Sequence, residues 1–125
     1  MKCLTLLIFF LMINNVMAID YTHKKYENSK INNDVLFIHG ALSNKSYWLD
    51  NVDLILEIEK LKPNSLTAIS LMGRGESELS ENCSVDNHIN EIINVIKKLN
   101  LSNIVIISHS FGTPLSLGVG IFLDS

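Results

Sequence analysis

Three short apolar runs, Val35-Leu36-Phe37-Ile38, Leu66 to Leu71 and Asn103 to Ser108, each empty into a loop of small and polar residues, with helically spaced segments between them. Apolar runs of this length suit strands buried on both faces. Strands that alternate with helices need crossover connections, which make the sheet parallel and place helices on its two faces. The fold class that follows is α/β: a three-layer sandwich around a mostly parallel sheet.

The intervening segments carry the matching period. Between Ser46 and Leu61, Trp48, Val52, Ile55, Leu56 and Ile58 recur at mostly helical spacing among Asp50, Asp53, Glu57 and Glu59, which predicts one amphipathic helix capped by Ser46 and closed before Pro63. From Ser84 to Leu99, Val85, Ile89, Ile92, Ile93, Ile96 and Leu99 fall on one face, and Lys97 and Lys98 sit in the last turn, where cations favour the helix dipole. A further helix is expected over Phe111 to Phe122, and an outer antiparallel strand over Tyr21 to Tyr26. With no internal repeat, low-complexity tract or dividing linker, residues 19–125 read as one domain.

Composition narrows the function. Of 125 residues 47% are apolar and 18% charged, as in a globular chain. A net charge of -3 from 13 acidic and 10 basic residues without long runs offers no footprint for nucleic acid. Met1-Lys2, the apolar stretch Cys3 to Ile13 and the following Asn14 to Ala18 have the three zones of a secretory signal peptide, so residues 1–18 read as a leader cleaved after Ala18. The expected location is secreted or periplasmic; an uncleaved leader would make it a membrane anchor, the only membrane contact foreseen. Cleavage leaves Cys83 as the lone cysteine, so no internal disulfide forms. His23, His39, His88 and His109 lack zinc-ligand spacing, and neither metal nor cofactor is expected.

The chemistry concentrates at Ser108-His109-Ser110-Phe111-Gly112, directly after the third apolar run. This is close to the G-x-S-x-G nucleophile elbow, a tight strand-to-helix turn that lifts a serine hydroxyl to the strand's carboxyl end. Two further loops agree with it in order and spacing: His39-Gly40-Ala41 after the first run, and Gly73-Arg74-Gly75-Glu76-Ser77 after the second. Together the three loops resemble those of the α/β-hydrolase family, over roughly Tyr21 to Phe122. They correspond to the N-terminal half of a family member, an incomplete α/β-hydrolase fold. Two positions depart from the pattern: Ser108 replaces the first elbow glycine, and Ser70 stands where the family often has an aspartate.

The resemblance implies a serine hydrolase acting on ester, thioester or amide bonds. Ser110 would be the nucleophile, with the backbone N–H groups of Ala41 and Phe111 as oxyanion hole and His39, Gly40, Gly73, Gly75, Ser77, Ser108 and Gly112 as structural motif residues. The substrate would be a small acyl compound. In the family, an acid and then a histidine follow the serine, and the 15 residues after Ser110 include no histidine. His109 and His39 are weak substitutes for that base, His23 and His88 read as surface residues, and Asp124 lies too close behind the elbow to be the triad acid. The reading is therefore of a truncated, catalytically impaired hydrolase. Its alternatives are a non-catalytic binding or interaction module, whose open sheet edge would recruit a partner, and a non-functional gene fragment; self-association through an exposed sheet edge is expected as well.

Overall fold

A computed structural model describes residues 18–125, so the predicted leader lies almost wholly outside the described residues. Among these residues four strands form one sheet: β1 (Tyr21–Lys25), β2 (Asp34–Ile38), β3 (Ser65–Ile69) and β4 (Ile104–Ser108), in the order β1-β3-β2-β4. β2 runs parallel to both neighbours, while β1 is the antiparallel outer strand beside β3. Ile38 stands level with Ile69 on one side and Ser108 on the other, so the loops after the three parallel strands emerge together at one end of the sheet.

Alternation along β2 builds the two cores. Val35 and Phe37 face one side with Leu66, Ala68 and Ile58. Leu36 and Ile38 face the other with Ile92, Ile93, Ile96, Leu115 and Val119. Leu36, Phe37 and Ile38 are wholly buried, each contributing roughly 1.5–3 kcal/mol by removal from water. At the opposite end of the sheet Asp34 is buried but satisfied, accepting from Ser65 Oγ at 2.5 Å and from Ser102 N–H at 2.7 Å.

Among the described residues four helices cover these faces: α1 (Ser46–Leu49), α2 (Val52–Leu61), α3 (Val85–Lys98) and α4 (Gly112–Leu123). The single helix expected from Ser46 to Leu61 is two. Asn51 leaves helical geometry (φ -82°, ψ 79°), and its side chain accepts the N–H of Leu54, so it restarts the helix as an N-cap. Nor does Ser46 cap the first piece: Lys45 holds that position without a side-chain bond, and Asn44 Oδ1 accepts the Ser46 N–H. α3 follows its expected bounds, with the Ser84 hydroxyl accepting the Asn87 N–H. α3 and α4 pack closely because position 118 is glycine; a methyl there would run into Ile89.

Candidate active site

The turn after β4 is built by constraints on both sides. His109 N–H donates to Ile38 O at 3.2 Å, which extends the β2–β4 pairing one step past the strand. The chain then bends at Ser110, whose φ of 52° is left-handed and unfavourable for a residue with a side chain. Gly112 N–H bonds to His109 O and Thr113 N–H to Ser110 O, both at 2.9 Å, so α4 starts directly beneath the turn. At Gly112 a Cβ would lie 2.8 Å from the carbonyl oxygens of both Ile38 and His39. Only glycine lets the helix begin so near the end of β2. Ser108 is half-buried at the end of β4, level with Ile38.

Ser110 is exposed, and the loop after β2 closes over it from one side. A Cβ placed on Gly40 would stand 3.1 Å from Ser110 Cβ and 3.1 Å from His109 Nδ1. Among the described residues, no protein acceptor takes the backbone N–H of Ala41 or of Phe111. Phe111 also precedes α4, so its amide stands at the positive end of that helix.

His39 fixes the direction of one of these amides. Its ring is fully buried; Nδ1 lies 2.6 Å from Gly40 O, and Nε2 accepts the N–H of Leu71 at 2.9 Å. Because Leu71 N–H must donate, Nε2 is the lone-pair nitrogen and Nδ1 carries the proton to Gly40 O. Gly40 C=O and Ala41 N–H belong to one planar peptide and point in opposite directions, so the ring that holds the carbonyl also aims the amide. Burial pulls the His39 pKa below its ordinary 6.5, the charges of Arg74 and His88 pull it further, and the Gly40 bond opposes them. With both nitrogens engaged, His39 has no free lone pair with which to act as a base.

A cavity of about 360 Å³ opens beside the turn, bounded by Gly40, Ala41 and Phe111 and walled by Leu71, Met72 and Leu79. Among the described residues Arg74 is the one charged side chain lining it, and no carboxylate does. Gly73, with φ 70°, places the glycine loop along its rim. Ser77 is buried and acts inward, donating its hydroxyl to Ser70 O at 2.6 Å.

His88 belongs to this cavity as well, where sequence reasoning had put it on the surface. It is 8% exposed, packs edge-on against Phe111 with ring centroids 5.6 Å apart, and is held below its ordinary pKa by burial. The signal was present: His88, Ile92 and Ile96 are spaced four apart, on the core-facing stripe of α3. His23 is half-buried too, with Nδ1 2.8 Å from Thr67 Oγ1 across the β1–β3 pair. His109 stacks on Tyr47 at 5.0 Å, and among the described residues no histidine or carboxylate is hydrogen-bonded to the Ser110 hydroxyl. Cys83 is exposed at the cavity's edge, and Asp124 lies beyond the far end of α4.

No family model matches the chain. It is similar to two Arabidopsis thaliana proteins: the probable lysophospholipase BODYGUARD 4, 27% identical over 108 residues, and the probable lysophospholipase BODYGUARD 3, 29% identical over 109. These matches cover 84% and 80% of this chain but 25% and 22% of the relatives, so the chain spans about a quarter of their length. Among solved structures, it superposes on the mouse alpha/beta hydrolase domain-containing protein 10 with a TM-score of 0.71 at 18% identity, covering 89% of this chain and 42% of that one. An esterase from Exiguobacterium antarcticum gives 0.69 at 18%, covering 84% and 36%. A lipase-esterase related protein from Clostridium acetobutylicum gives 0.63 at 28%, covering 83% and 41%.

The chain has the α/β-hydrolase fold. Its described part of that α/β-hydrolase fold comprises one antiparallel strand, three parallel strands and their crossover helices, with the three loops of the resemblance gathered at a single end of the sheet.

Proposed function

We propose that this α/β-hydrolase-fold chain carries the acyl-transfer half of a serine esterase site, with Ser110 as nucleophile. The observation that carries the reading is the strained, exposed Ser110 at a strand-to-helix turn, flanked by two backbone amides without protein acceptors. Its hydroxyl would attack the ester carbonyl carbon, the carbonyl oxygen would take up negative charge between Ala41 N–H and Phe111 N–H, and the alcohol would leave as the acyl group passes to Ser110. Water then returns the serine and releases the acid. Fixed N–H donors need no reorganisation as charge develops, and each contributes about 3 kcal/mol to lowering the barrier.

The substrate this reading favours is an amphiphilic carboxylic ester. Leucine, methionine and phenylalanine side chains around the cavity suit a short acyl chain, and Arg74 suits a negative charge on the polar part. The names of the two Arabidopsis relatives, both probable lysophospholipases, point the same way.

Proton transfer is the weak link. Loss of the histidine base from a serine triad costs on the order of 10⁶ in kcat, about 8 kcal/mol. Residues 18–125 by themselves are therefore an impaired hydrolase that acylates slowly. On this account p-nitrophenyl butyrate leaves a butyryl adduct on Ser110, visible by intact mass, with little sustained turnover. Turnover at ordinary enzyme rates that vanishes in Ser110→Ala would overturn the impairment, and absence of the adduct would overturn the nucleophile.

Independently of that reading, the sequence of residues 1–18 supports an export leader. Ala18 exchanges bonds with Glu78, its O accepting Glu78 N–H at 3.0 Å, so cleavage there would free Glu78 while leaving Asp20 in place. A second reading, an interaction module, is favoured by apolar side chains left exposed on β4, at Val105, and on α4, at Leu117 and Ile121. Among the described residues β4 pairs on one side only, and an open strand edge is a surface for self-association.

A further inference from the structure

The two loops that frame the cavity are joined by a single carboxylate from elsewhere in the chain. Asp20 Oδ1 accepts from Lys45 Nζ at 2.7 Å, at the far end of the loop that begins with Gly40 and Ala41. Asp20 Oδ2 accepts from Ser70 Oγ at 3.1 Å, just past the end of β3, and from Glu76 N–H at 3.3 Å, on the glycine loop. The backbone of the same residue is engaged too: Asp20 N–H donates to Ser77 Oγ at 2.8 Å, and Asp20 O accepts Ser70 N–H at 2.8 Å. Ser70 completes the link by accepting Lys45 N–H at 3.1 Å. Gly75 is required for this closeness, since a Cβ there would lie 2.6 Å from Ser70 Oγ and 2.8 Å from Asp20 Oδ2.

An ordinary surface ion pair would mean little here. This one differs because the Asp20 side chain is only 13% exposed and accepts from three donors, one on each loop and one, Ser70, just past the end of β3. Burial alone would raise the Asp20 pKa, but the Lys45, Glu76 and Ser70 bonds outweigh it and keep the carboxylate charged.

We propose that Asp20 is a positioning residue, a clamp that holds the Gly40–Lys45 and Gly73–Ser77 loops in fixed relation, so that the cavity between them and the Ala41 amide keep their geometry. Its consequence for Ser110 rests on the hydrolase reading; the coupling of the two loops does not. Position 70 faces the same space, so a carboxylate moved there should restore the clamp.

Hydrogen exchange of the full chain, read by mass spectrometry, tests this. In Asp20→Asn the bonded loop amides, Lys45 in the first loop and Gly73, Arg74, Glu76 and Ser77 in the second, should exchange together at least about tenfold faster while β2 and β3 stay protected, and the double variant Asp20→Ser, Ser70→Asp should return both loops toward wild type. Lys45→Met, which removes the cation and keeps the backbone bonds, should show the same paired loss if Asp20→Asn does not fold. Exchange that rises in one loop only, in neither, or equally through the strands overturns the clamp. Labelling by a fluorophosphonate should slow with loop loosening; an unchanged rate in a loosened Asp20→Asn overturns the positioning of Ser110. A wild-type chain that never labels overturns the hydrolase reading and leaves the clamp to be decided by exchange.

Discussion

His39 Nε2 accepts the backbone N–H of Leu71 at 2.9 Å, so the end of β2 holds the end of β3 through one buried ring. Replacing His39 with alanine orphans the Leu71 amide, empties a wholly buried site and frees the Gly40–Ala41 peptide. A loss of about 2–4 kcal/mol in unfolding free energy is expected from the stranded donor and the cavity together. Urea denaturation of the variant beside the wild type measures it. A loss below about 0.5 kcal/mol would show that the ring is not a structural tie.

Acid should destabilise the fold through its buried histidines. Burial holds His39, His88 and His23 below their ordinary 6.5, so near that pH the unfolded chain takes up protons that the folded chain refuses. Stability is then level above about pH 7.5 and falls on acidification below 6.5, with a slope of up to about 1.4 kcal/mol per pH unit for each histidine still unprotonated in the fold. Asp20 and Glu59, held below their ordinary values chiefly by their bonds to lysine, add a second loss only below about pH 4. Glu91, raised by burial, works the other way: it regains stability as pH falls toward 4.5 and so opposes the lower part of the histidine limb. Thermal unfolding midpoints from pH 8 to pH 5 check the histidine limb; a midpoint that rises on acidification over this range would contradict it.

Gly112→Ala tests the packing under the turn. The added methyl meets two backbone carbonyl oxygens, which cannot rotate away as a side chain would. About 2–3 kcal/mol of destabilisation is expected, with a displaced helix start and loss of Ser110 labelling. Gly120→Ala is the control, since a Cβ there meets nothing within 4 Å and should leave labelling intact.

Arg74 should confer a preference for anions. Octyl phosphate is expected to protect Ser110 from labelling at about tenfold lower concentration than octanol, a difference of 1.4 kcal/mol. Arg74→Gln should abolish the difference and leave protection by octanol unchanged. Equal protection in the wild type would remove the anionic part of the substrate assignment.

The edge of β4 that is unpaired among the described residues should associate. Val105 is 43% exposed on that strand, so Val105→Lys is expected to shift the chain toward monomer in size-exclusion chromatography at rising concentration. A wild type that is monomeric at every concentration would sink the interaction-module reading.

The parallel strands were legible because burial on both faces leaves an unbroken apolar run, as at Val35 to Ile38. α3 was legible because burial on one face leaves a stripe, as at Ile92 and Ile96. The three loops were legible as motifs because close backbone approach demands glycine, most visibly at Gly112. What escaped the sequence was decided by partners. Asn51 caps a helix that its neighbours' hydrophobic period would have continued. His88 looked polar in isolation, and only its spacing to Ile92 and Ile96 places it in the core. The Asp20 contacts to Lys45 and Ser70 span 25 and 50 residues, beyond any local pattern.

Labelling of the folded chain with a fluorophosphonate, read by intact mass and peptide mapping, tests the central assignment most directly. The account expects one adduct per chain, located on Ser110, formed slowly and absent from Ser110→Ala. A cooperatively folded chain that takes no adduct, or one labelled equally well in Ser110→Ala, would contradict it.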